Sequence, residues 1–60
     1  MNSDLPQNPL ILASYINTML RDRFSSLDEL CASLDIERDW LVKKLRLVGM
    51  TYDATVNRFW

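Results

Sequence analysis

The apolar and polar positions of this chain follow a helical period three times and then stop doing so. From Pro9 to about Arg23, at ~100° per residue, Ile11, Leu12, Ala13, Tyr15, Ile16, Met19 and Leu20 fall on one side. Leu10, Ser14, Asn17, Thr18 and Arg21 fall on the other. The apolar side spans roughly 200°, wide for a helix covered on one face only, so this helix is expected to pack on two sides. Asn8-Pro9 starts it, with Asn as N-cap and Pro at the first helical position. Arg23, at its end, falls on the apolar side and would have to snorkel. In the second stretch Leu27, Leu30, Cys31 and Leu34 recur at i, i+3, i+4 and i+7. Ser26 and Glu29 ahead of them have capping-box spacing. The third helix begins between Ile36 and Arg38 and runs to Val48, with Leu41, Leu45 and Val48 as its inner stripe and Gly49 as a left-handed stop.

After Gly49 the period shortens. "MTYD" and "RFW" favour strands, and "ATVN" between them suits a turn with Asn57 at its positive-φ end. A two-stranded hairpin alone is marginal. It is therefore expected to lie on the first helix through Tyr52, Phe59 and Trp60. The resulting map is an extended arm over 1–8 and a single domain over 9–60. Its helices cover about 9–23, 27–34 and 37–48, and its hairpin about 50–60. The fold class is mainly α: a three-helix, helix-turn-helix-like domain, in effect a reduced winged helix, with a short C-terminal β-hairpin.

The bulk numbers narrow the function rather than the fold. Sixty residues make one domain with a thin stability margin. At 48% hydrophobic and 25% charged the chain has the makeup of a folded protein. One cysteine forbids an internal disulfide, and the lack of histidine removes the usual zinc spacings. A net charge of −1 is not the footprint of bulk electrostatic binding to nucleic acid. The longest uninterrupted apolar run, "LILA", is far short of a membrane span. With no signal-peptide pattern at the start, a cytoplasmic location is expected.

"LCASLDIERDWLVKKL" has helix-turn-helix spacing. Leu30, Cys31 and Ala32 are followed by Asp35 at the turn, then Ile36, Leu41 and Leu45. Asp35 stands where Gly is common, and Glu37 is a weak cap. Arg38, Val42, Lys43 and Arg46, with Asp39 among them, form the candidate nucleic-acid face of the third helix. That face carries three cations to one carboxylate. Acids at the start of this helix and cations near its end equally complement the helix macrodipole with no ligand at all. Trp40 and Leu47 share a flank beside Lys44. Trp40 reads either as a cover for the core edge or as a partner surface. With Leu10 and Ile11, these two residues are the candidate protein interface. Cys31 has no histidine to activate it and shares a face with leucines, so an inert thiol is expected. The carboxylates are accounted for by helix starts, and one glycine makes no phosphate loop.

Four segments together resemble a known family. They are "N-x-x-LRD" (Asn17, Leu20 to Asp22), "SLDELC" (Ser26 to Cys31), "LDI" (Leu34 to Ile36) and "G-x-x-YD…N-x-F" (Gly49, Tyr52, Asp53, Asn57, Phe59). In these the chain resembles the small bacterial domain of unknown function (DUF) family 4250. Met50 departs from that family's tendency to an aromatic after the glycine, and Glu37 stands where Asp is frequent. The resemblance implies a kind of protein and no mechanism. The expectation from sequence is a non-enzymatic interaction module without cofactor, metal or small-molecule ligand and without membrane contact. It would bind a protein partner or form a homodimer, with DNA binding through the third helix as the alternative.

Overall fold

In the computed structural model, which describes residues 5–60, the helical stretches fold as α1 (Pro9–Asp22), α2 (Leu27–Leu34) and α3 (Arg38–Arg46). Two short strands follow, β1 (Tyr52–Asp53) and β2 (Arg58–Phe59), paired antiparallel with Tyr52 opposite Phe59. The mainly helical, three-helix fold with a terminal hairpin is the one the periodicity predicts. The N-terminal half of the expected arm, 1–4, lies outside the described residues. Leu5 belongs to the core at 5% exposure, so the arm packs on the domain at this residue.

Each helix boundary has a local cause. The Asn8 side chain accepts the Leu10 and Ile11 amide hydrogens, at 2.9 and 3.3 Å, and starts α1. Ser26 Oγ accepts from the Glu29 amide at 3.1 Å and starts α2. The reciprocal half of the capping box is displaced by one residue: Glu29 Oε1 accepts from the amide of Ser25 instead of Ser26. Asp35 ends α2 in the left-handed region, at φ 56° and ψ 50°, where a side chain is costly. Glu37 precedes α3 without a side-chain cap bond. The regular helix stops at Arg46, two residues before the expected end. The chain then turns on, with Gly49 N–H donating to Arg46 C=O and Met50 N–H to Leu45 C=O. Those two bonds, with Gly49 at φ 75°, form a Schellman closure.

The core is continuous across all elements. It takes Leu12, Ala13, Ile16, Met19 and Leu20 from α1, Leu27, Leu30 and Cys31 from α2, and Leu41 and Leu45 from α3. Ile36 enters from the turn and Phe59 from β2. Helix α1 meets α2, α3 and β2, which accounts for its wide apolar side. Four side chains are placed differently from the sequence reading. Trp60 is 60% exposed, because Phe59 alternates inward in the strand and its neighbour must point out. Ile11 and Tyr15 lie at the edge of the apolar arc and face solvent. Arg23 is exposed, since α1 has already ended.

Candidate functional site

The hairpin is held to the helices by amide side chains, not only by Phe59. In the Tyr52–Phe59 pair the Phe59 backbone groups point away from β1, because the ladder bonds belong to the flanking Thr51–Trp60 pair. Asn17 of α1 satisfies both groups. Its Nδ2 donates to Phe59 C=O at 2.9 Å, and its Oδ1 accepts from Phe59 N–H at 2.8 Å. Asn57, at φ 54°, donates through Nδ2 to the carbonyls of Leu20 and Phe24, both at 3.1 Å. These carbonyls belong to the end of α1 and the loop after it. The Tyr52 hydroxyl donates to Asn57 Oδ1 and accepts from the Leu27 amide at the start of α2. Asp53 Oδ1 accepts from the Thr55 amide and shapes the hairpin turn. Five motif positions (Asn17, Tyr52, Asp53, Asn57, Phe59) are thus occupied with structure.

Arg21 and Asp22 are different. They pair with each other on the surface, Nε to Oδ1 at 2.8 Å and Nη2 to Oδ2 at 3.1 Å. The guanidinium holds the Asp22 carboxyl below the usual carboxylate range, mainly by hydrogen bonding. Among the described residues neither side chain makes another hydrogen bond or ion pair.

On α3 the expected cationic face is only partly free. Arg38 forms an ion pair with Asp28 of α2, Nε to Oδ1 at 3.0 Å. Val42 is half-buried against the core. Lys43 and Arg46 are exposed, and so is Asp39 between them on the wheel. Trp40 is half-buried and packed on the core, with the Lys44 ammonium 5.7 Å from its ring centroid. Leu47, at 78% exposure, stands out from the end of α3. Leu10 and Ile11 are exposed at the start of α1, at 61% and 58%. The structure therefore places the four expected interface residues on two helices, with Trp40 the most covered of them.

The sequence reading missed a groove of about 770 Å³ between α1 and the hairpin. Leu10, Ala13, Met50 and Val56 line it, with Arg21 and Arg58 among its polar lining. No sequence signal marks it, because its walls come from opposite ends of the chain. Cys31 is buried, and burial pushes its thiol up from the ordinary value. Among the described residues no cluster of acids and cysteine is placed to hold a metal ion, and no helix is long and apolar enough to cross a membrane.

The sequence model of the family described as Domain of unknown function (DUF4250) matches residues 6–59. The chain belongs to this family. The DUF4250 match runs from the segment before α1 to Phe59, so it includes the whole amide clamp. No curated protein and no solved structure matches the chain.

Proposed function

We propose that this chain is a small, non-enzymatic interaction module that binds another protein or a second copy of itself. The observation that carries the reading is the exposure of Leu10, Ile11, Trp60 and Leu47, each more than half open to solvent in a domain of 60 residues. One exposed leucine is ordinary. Four large apolar side chains left 58–78% exposed each forgo a part of the ~1.5–3 kcal/mol that full burial provides, which a domain this small can ill spare. Light scattering from micromolar to millimolar concentration tests self-association. A mass rising above the monomer, and returning to it in Ile11→Glu or Leu47→Glu, is the expected result. A strict monomer removes the self-association arm.

DNA binding is the second reading, supported by the α2–turn–α3 order with Lys43 and Arg46 exposed. The Arg38–Asp28 pair and the net charge of −1 weigh against it. It predicts a gel shift at low salt that falls steeply as salt rises and vanishes with Lys43→Glu. No shift on any duplex at low salt removes it.

A further inference from the structure

We infer that the groove between α1 and the hairpin docks an acidic amphipathic helix of a partner protein. The inference rests on the protein-binding reading and adds its site and the partner's chemistry. Leu10, Ala13, Met50 and Val56 supply apolar walls. Among the described residues that line the groove the charged ones are Arg21 and Arg58, with no carboxylate. This is a local excess of cations in a chain of net charge −1. Of the described acids, Asp28, Glu29, Asp35, Glu37 and Asp39 lie on α2, its turn and the start of α3, Asp53 on β1 accepts from Thr55, and Asp22 is paired with Arg21 at the rim.

Both arginines retain donors. Arg21 gives Nε and Nη2 hydrogens to Asp22, which leaves Nη1 for a second carboxylate, although Asp22 tempers the charge at that rim. Arg58 Cζ lies 5.5 Å from the Trp60 ring centroid, and a guanidinium held over an aromatic face by charge attraction spends no N–H group on that contact. The sign of the partner follows: a basic segment would meet two like charges, and a neutral one would leave both unanswered. The partner's form follows from the clamp. The open edge of β2 at Phe59 is already filled by the Asn17 amide, so an incoming strand finds no free backbone groups there. A helix docking through side chains needs none. A volume of about 770 Å³ suits a few anchoring side chains and not a whole domain.

The test uses a fluorescein-labelled amphipathic peptide with Leu anchors flanked by Glu, and its counterpart with Lys for Glu. Anisotropy is read against the full chain, and amide shifts locate the site. The acidic peptide is expected to bind with shifts at Leu10, Ala13, Met50 and Val56. Arg58→Glu, with its fold confirmed by circular dichroism, should weaken it about tenfold and favour the Lys peptide, whereas Asp22→Asn should tighten it. Equal binding of both peptides, no binding of the acidic one, or no loss in Arg58→Glu overturns the inference. Shifts confined to Trp40 and Leu47 would overturn this site while leaving the protein-binding reading standing. No peptide binding together with a strict monomer would sink both.

Discussion

Asn17 is the residue on which the hairpin's position turns. Without its amide, the N–H and C=O of Phe59 would face α1 with no partner in a part-buried setting. Leaving such groups unsatisfied costs about 1–3 kcal/mol. Asn17→Ala is therefore expected to lower the unfolding free energy by that much, read from urea denaturation, and Asn17→Asp should recover at most the Phe59 N–H bond, since a carboxylate cannot donate to Phe59 C=O. Asn57 combines two roles that substitutions separate. Its left-handed backbone favours Gly or Asn, and its amide ties Leu20, Phe24 and Tyr52 together. Asn57→Gly keeps the backbone and loses the bonds, while Asn57→Ala loses both. Equilibrium denaturation should find the alanine variant less stable by about a further 1 kcal/mol. Equal losses would mean that φ at this position is not costly.

At the scale of elements the weak points are the joints around α3. Its start lacks a side-chain cap, so Glu37→Ser should stabilise the domain by about 0.5–1 kcal/mol, read as a raised thermal midpoint. Asp35 holds a left-handed conformation that Gly adopts without strain, and Asp35→Gly is expected to stabilise by a similar amount. The two changes lie close together, and their double variant measures whether the gains add. By contrast, the start of α1 and the end of α3 are already well made. Asn8 accepts two amide hydrogens, and the Gly49 closure satisfies two carbonyls. Gly49→Ala would meet open space but a left-handed backbone, so its cost should be conformational, about 1 kcal/mol.

For the molecule as a whole, stability in alkali should depend on Cys31. Burial, the largest cause, raises its thiol above the ordinary cysteine range, with Arg38 opposing and Asp28 adding. The folded state therefore disfavours the thiolate relative to the unfolded chain. The Cys31 contribution is fully present below the unfolded value and is lost as pH rises through it toward the folded one. As pH rises above about 8, the urea midpoint should fall more steeply in the native chain than in Cys31→Ala. Parallel curves would show that Cys31 does not titrate with unfolding. The same burial predicts slow alkylation of Cys31 that accelerates only as the core opens.

Local and periodic features were written in the sequence because their physics is local. The caps at Asn8 and Ser26, the left-handed positions at Asp35, Gly49 and Asn57, and the core stripes of α1 and α2 depend on neighbours within about one helical turn. A helix wheel also placed Trp40 and Leu47 on one flank, but it could not say how deep either lies. Long-range matters were decided by the tertiary structure alone. The Asn17–Phe59 clamp joins positions 42 residues apart, and the α1–hairpin groove has walls from both ends of the chain. The Arg38–Asp28 pair, which takes one cation from the expected DNA face, depends on how α2 and α3 cross. Trp60 turned outward because strand alternation gives the inside to Phe59, a choice fixed by register against Tyr52. Composition and period thus determined which elements form. Only packing decided which side chains were left at the surface to meet a partner, because exposure is a property of the assembled fold.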